Sequence, residues 1–250
     1  MSLVSELRPK RPVDDPGSGG AAAEDLEQAA WTALEGGRYA EAIELYQRWH
    51  ELDPTNAVPR IRLAVALAMA ARWPEAEDVL RAVLARHPER GDAWSVLGFF
   101  LAPQDGRRSD AFTALDRALA LTPHDPLARM TRAMLRSAAG DFEGAIEDCA
   151  AIPPDSLHFA LSRRVVWARA LGRLGRFAEG LRKLHEVDDS ALEATEAATL
   201  RTWLLDEFFK ELRDPDLPPR QPGKPQGLNP PIKLRGSGPL VSEMIIEDRR

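Results

Sequence analysis

Apolar residues recur every three or four positions through the middle of the chain, as in Leu63, Leu67 and Ala70. This spacing places them on one face of an α-helix, whereas a half-buried strand would alternate apolar and polar residues. The pattern therefore predicts a series of amphipathic helices and no β-sheet.

Five short segments repeat along this region: GRYAEA, ARWPEA, GRRSDA, GDFEGA and GRFAEG. They begin at residues 37, 71, 106, 140 and 175, so their spacing is 34 or 35 residues. A proline follows each of the first three at a constant offset, at Pro54, Pro88 and Pro123. Because proline cannot continue a helical hydrogen-bond ladder, each unit is predicted to be a helix, a tight turn and a second helix.

The repeated unit resembles the tetratricopeptide repeat (TPR). The third unit carries the closest match to the TPR pattern, with Trp94-x2-Leu97-Gly98-x2-Leu101, Ala111-x3-Leu115 and Pro123. The first two units supply Ala42-x3-Tyr46 and Ala76-x3-Leu80. The resemblance implies an all-α fold, an α-solenoid of about five helix-turn-helix repeats.

The repeats are expected to span residues 21–189, with units at about 21–56, 57–90, 91–125, 126–156 and 157–189. A capping helix is predicted at 190–213, where Leu205 and Phe209 lie off the apolar stripe. Those two residues indicate either irregular packing or an exposed patch for a partner. Residues 1–20 and the Pro-rich 214–250 are expected to be disordered tails, the second with an apolar end.

Composition limits the possible functions. The formal net charge of −6 and a pI near 5.5 argue against a nucleic-acid or anionic-membrane binder. No apolar run is long enough for a membrane span, and the N-terminus lacks the apolar core of a signal peptide. With one cysteine, an intrachain disulfide is impossible. We therefore expect a cytoplasmic protein without membrane insertion.

The sequence contains no pattern typical of catalysis. The five histidines are scattered, and no phosphate-binding loop or nucleophile elbow is present. Cys149 occupies an aromatic column of the repeat, where a buried core thiol is expected. The chain is accordingly predicted to be no enzyme and to use no metal or cofactor.

The TPR resemblance implies a concave groove, lined by the first helix of each repeat, that binds a protein or peptide partner. Its predicted groove residues are Trp31, Ile61, Val65, Met69, Phe99, Met130, Met134 and Arg169. Most are apolar, and methionine suits adaptable recognition. Some of them, Val65 in particular, could instead belong to the core between repeats.

Arginines form a second candidate surface. The predicted basic patch comprises Arg129, Arg132, Arg136, Arg163, Arg164 and Arg173. It could recognise an acidic peptide or a phosphate by bidentate contacts. The alternative is a face that is solvated or paired within the chain.

The two tails carry nearly matching pentapeptides, LVSEL and LVSEM. Their candidate binding residues are Leu3, Val4, Leu7, Leu240, Val241, Met244, Ile245 and Ile246. Each copy should bind weakly, because burying three apolar side chains barely offsets the cost of ordering five residues. Two copies could act together on a partner, or on the protein's own groove.

These observations favour a non-enzymatic scaffold or adaptor that binds a partner segment in an apolar groove. Two alternatives remain open at this stage: a cytoplasmic chaperone for a secretion-system substrate, and a regulatory subunit that recruits an enzyme.

Overall fold

The computed structural model describes residues 21–154, 156, 159–185 and 195–212. Within those ranges the chain is helical, joined by turns, and no strand is assigned. The predicted all-α, helix-turn-helix architecture is confirmed. The predictions for residues 1–20 and 214–250, including both pentapeptides, lie outside the described residues.

Eleven helices follow one another along the described residues. Their bounds are α1 Ala21–Glu35, α2 Tyr39–Leu52, α3 Val58–Met69, α4 Trp73–Arg86, α5 Gly91–Leu101, α6 Arg108–Leu121, α7 Pro126–Ala139, α8 Phe142–Ala151, α9 Ala160–Arg173, α10 Phe177–His185 and α11 Thr195–Leu212. The helices α2, α4 and α6 each end two residues before the proline that was expected to stop them.

The described residues fall into two compact units, divided between Ala170 and Leu171. In the first unit, α1 packs on α2, α3 on α4, α5 on α6, and α7 on α8, so that each pair is a helical hairpin. The first helices of successive pairs also meet, since α5 contacts both α3 and α7. This arrangement places α3, α5 and α7 side by side.

A left-handed residue makes the turn that follows each of α1, α3, α5, α7 and α9. Gly37, Gly106, Gly140 and Gly175 have φ between 73° and 87°, and Ala71 takes the same position with φ 60°. In four of the five turns the next residue donates its N–H to a carbonyl five residues earlier, as Arg38 does to Ala33 at 2.8 Å, a bond typical of the Schellman motif. After Gly106 the bond spans three residues, from Arg107 to Gln104 at 3.2 Å. A side chain is disfavoured in this conformation, and the repeated glycine is therefore explained by backbone sterics.

Small residues let the two helices of a hairpin approach closely. The column consists of Ala30, Ala64, Gly98, Ala133 and Ala168, all buried. At Gly98 an added Cβ would lie 2.6 Å from Leu115 Cγ, closer than non-bonded carbons can be. The apolar residues around this column form the core of the first unit.

In the second unit, α11 packs against α10. Phe177 meets Trp203 edge to face, with ring centroids 6.0 Å apart, and Leu200 and Leu204 are buried. Leu200 and Leu204 lie on the buried side of α11. Leu205 is half-buried, whereas the side chain of Phe209 lies outside the described set.

Candidate partner-binding groove

The predicted groove residues divide by burial into two groups. Trp31, Ile61, Val65 and Met130 are 3–7% exposed and belong to the packed interior of the first unit. Met130 lies in one apolar cluster with Ala133, Cys149 and neighbouring residues, while the other three belong to a larger cluster. These side chains contribute mainly to the packing that holds the repeats together.

The remaining apolar groove residues stay accessible. Met69 and Phe99 are half-buried, and the side chain of Met134 is 52% exposed. They lie on α3, α5 and α7, the three first helices that pack side by side. We call this surface, defined by Met69, Phe99 and Met134, the first-helix face. Arg169, one repeat further along on α9, is half-buried.

An ion pair flanks the interior near the first repeat. Arg62 on α3 donates to the Glu27 carboxylate on α1, and the guanidinium lies 5.5 Å from the centre of the Trp49 ring. Tyr46 is buried beside them, and that burial raises the pKa of its hydroxyl to about 12. Neither Glu27 nor Arg62 was among the predicted groove residues. Their pairing links the first two repeats.

The predicted basic patch is largely engaged within the chain. Arg129, Arg132 and Arg136 all contact the carboxylate of Asp148, which is 1% exposed. The hydrogen bond to Asp148 is also the main cause that raises the pKa of Arg132. These three arginines are therefore paired within the chain, which was the alternative to a patch that recognises an acidic peptide or a phosphate.

The other members of the predicted patch have different settings. Arg163 donates to the carbonyl of Ile152 at 3.0 Å, and Arg164 is half-buried. Arg173, in the second unit, is exposed. The sequence spacing suggested one patch, but the partners of these arginines differ from one residue to the next.

The described residues offer little for redox or metal chemistry. Burial raises the pKa of the Cys149 thiol to about 12, so the group is protonated at neutral pH. Among the described ranges, no three His, Cys, Asp or Glu side chains come together in a way that could hold a metal ion. No helix in the same ranges has the length and apolar character needed to cross a membrane.

Two family models, both described as tetratricopeptide repeat, match adjoining parts of the chain at residues 33–98 and 101–156. Protein FlbA of Caulobacter vibrioides is 30% identical over 139 residues, which cover 54% of this chain and 23% of FlbA. The human protein O-mannosyl-transferase TMTC1 is 31% identical over 90 residues, 36% of this chain and 10% of TMTC1. The chain thus spans less than a quarter of either relative.

Solved structures share the fold at low identity. A thermophilic TPR protein of Thermus thermophilus aligns with a TM-score of 0.54 at 18% identity, over 75% of this chain and 99% of its own. A chain of the APC/C hetero-tetramer Cut9–Hcn1 gives 0.61 at 16%, over 76% of this chain and 37% of its own. The solved structures support the fold, and the two family models identify residues 33–98 and 101–156 of the chain as belonging to the tetratricopeptide repeat family.

Proposed function

We propose that this TPR protein is a non-enzymatic scaffold that holds an apolar segment of another protein on the first-helix face. One observation carries the proposal: Met69, Phe99 and Met134 project accessible apolar surface from three successive first helices. TPR folds typically mediate protein–protein interactions, and this face is where the described residues offer such a surface.

The chemistry of the face indicates the kind of segment it would accept. Fully burying an exposed side chain of this size contributes roughly 1.5–3 kcal/mol, and these three side chains are already partly covered, so they provide a smaller driving force before ordering costs. Methionine adapts to irregular apolar shapes, which favours an amphipathic helix or extended strand with spaced apolar side chains. The proposal includes a cytoplasmic location and no nucleic-acid partner, in keeping with the net charge of −6.

Charge substitutions on the face test the proposal. Tagged full-length protein is compared with Phe99→Asp and Met134→Asp in pull-downs from the native host, read by quantitative mass spectrometry. We expect both variants to lose the same partners by tenfold or more, because a carboxylate cannot be buried against apolar surface without a large desolvation cost.

Leu52→Asp is the matched control, since Leu52 is 59% exposed but lies at the end of α2, a second helix. It should leave partner recovery unchanged, and circular dichroism should show equal helicity for all four proteins. Equal partner recovery by Met134→Asp and the unaltered protein would contradict the assignment of the face.

A further inference from the structure

The fourth repeat has a charged interior where the third has an apolar one. In the third repeat, the first helix carries Trp94, Leu97 and Leu101; Trp94 is half-buried, and Leu97 and Leu101 are 4% and 2% exposed. Adding 35 to these numbers gives Arg129, Arg132 and Arg136. All three apolar columns of the TPR pattern are therefore occupied by arginine in α7.

The structure shows that these arginines take over the positions of the apolar residues. Trp94 donates its Nε1–H to the carbonyl of Pro88 at 3.0 Å, and Arg129 donates its Nε–H to the carbonyl of Pro123 at 2.9 Å. Both acceptors lie six residues before the donor, at the proline that follows the preceding helix. Arg129 thus replaces Trp94 in place and in hydrogen bonding.

The three guanidinium groups converge on one buried carboxylate of α8. Arg132 donates to Asp148 Oδ1 at 2.7 Å and Oδ2 at 2.9 Å, Arg136 Nη1 lies 3.0 Å from Oδ2, and Arg129 Nη1 lies 3.3 Å from Oδ1. The arginine side chains are 16–26% exposed. We call these four residues the polar joint.

Further carboxylates reach the polar joint only from its rim. Arg132 also pairs with Asp116 of α6, and Arg136 lies 3.5 Å from Asp141, whose side chains are 61% and 52% exposed. Inside, three positive charges face one negative charge. The joint therefore carries a charge surplus that is balanced at the surface.

The buried apolar residues form two clusters that both include parts of α7. One runs from α1 to α6 and reaches Ala128 and Leu135 of α7. The second contains Met130 and Ala133 of α7 together with Cys149, Ile152, Phe159 and Val166, and Leu127 packs against both clusters. The helix α8 is only ten residues long, and Pro153 and Pro154 follow it closely.

From these observations we infer that the α7–α8 hairpin opens, by separation of the polar joint, at a lower free energy than the hairpins α3–α4 and α5–α6. Opening an apolar hairpin exposes apolar surface to water with no compensation. Opening the α7–α8 hairpin also exposes the buried Met130, Ala133 and Cys149, but it returns four ions to water, and the recovered solvation offsets much of the ion pairing that is lost.

Opening has a consequence for binding, which rests on the proposed function. Met134 lies on α7, so an open joint removes it from the first-helix face and shortens the surface available to a partner. The joint itself does not depend on that function, and its test needs no partner.

Hydrogen exchange of the full chain, followed by mass spectrometry and corrected for intrinsic rates, tests the inference. We expect amides of α7 and α8 in the unaltered protein to exchange at least about fivefold faster than those of α3–α6. Asp148→Asn should raise exchange in α7 and α8 by a further tenfold or more, because it leaves three arginines without their buried partner. Glu147→Ala, which removes an exposed carboxylate from the same helix, is the matched control and should change nothing.

A graft from the third repeat provides the reverse test. Arg129→Trp, Arg132→Leu and Arg136→Leu combined with Asp148→Ala reproduces the interior of that repeat, since Ala114 occupies the column of Asp148. The graft should bring exchange in α7 and α8 down to the level of α3–α6. Equal protection of α7–α8 and α3–α6 in the unaltered protein would overturn the inference, whether or not the graft folds. Faster exchange that persists in a folded graft would also overturn it.

Discussion

The turn between α3 and α4 gives the sharpest prediction about stability. Ala71 has φ 60°, in the conformation that glycine occupies in the four other turns of this kind. For a residue with a Cβ this conformation costs roughly 1–2 kcal/mol. Glycine also has more freedom in the unfolded chain, which costs about 0.4–1 kcal/mol on folding. Ala71→Gly should therefore stabilise the fold by about 0.5–1 kcal/mol.

Urea unfolding followed by circular dichroism measures this effect. With a slope of about 2 kcal/mol per molar, the midpoint should rise by roughly 0.3–0.5 M. Ala70→Gly is the matched control: Ala70 is the preceding residue, with φ −81°, so glycine there brings only the entropic cost and should lower the midpoint. If Ala71→Gly lowers the midpoint as much as Ala70→Gly does, the steric explanation of the repeated glycine is refuted.

Three further predictions concern single side chains in the first unit. A hydrogen bond from Arg107 is the main cause that holds the pKa of Glu77 below its ordinary 4.5. Glu77→Gln should therefore destabilise the protein, and the full loss of stability should be present above about pH 4.5. The difference should vanish as the pH falls through the lower folded-state value, as acid titration of the urea midpoint would show; a difference that grows in acid would contradict the pairing. The Cys149 thiol, with a pKa of about 12, should resist iodoacetamide at pH 8 until urea unfolds the chain, and rapid labelling of the native protein would be inconsistent with its burial. Asp125 caps α7 by accepting two backbone N–H bonds, so Asp125→Ala should cost about 0.5–2 kcal/mol in urea unfolding, and an unchanged midpoint would argue against the cap.

The fold follows from sequence because its determinants are local and repeated. The helical spacing of apolar residues, the turn glycine and the terminating prolines recur at one period, and the family matches cover the same residues. At Ala71 the turn conformation persists without glycine, because the flanking helices and the bond from Arg72 to Leu67 impose it.

The candidate site was less predictable, because apolar periodicity shows on which side of a helix a residue lies but not how deeply neighbouring helices bury it. Met130 and Met134 lie one turn apart on α7, yet one is 3% and the other 52% exposed. The arginines of α7 carried a usable signal. Aligning Arg132 with Leu97 would have pointed to the repeat interior, whereas the buried acidic partner, Asp148, required the packing of α8 against α7.

Site-specific photocrosslinking tests the central claim, that partners bind on the first-helix face, most directly. A photoreactive amino acid is placed at residue 99, at residue 134, or at residue 52 of α2 in the full-length protein, and irradiated in the native host. The account predicts the same crosslinked protein from residues 99 and 134, with none from residue 52. Crosslinks from residue 52 alone, or none from residues 99 and 134 while partners are still recovered, would contradict it.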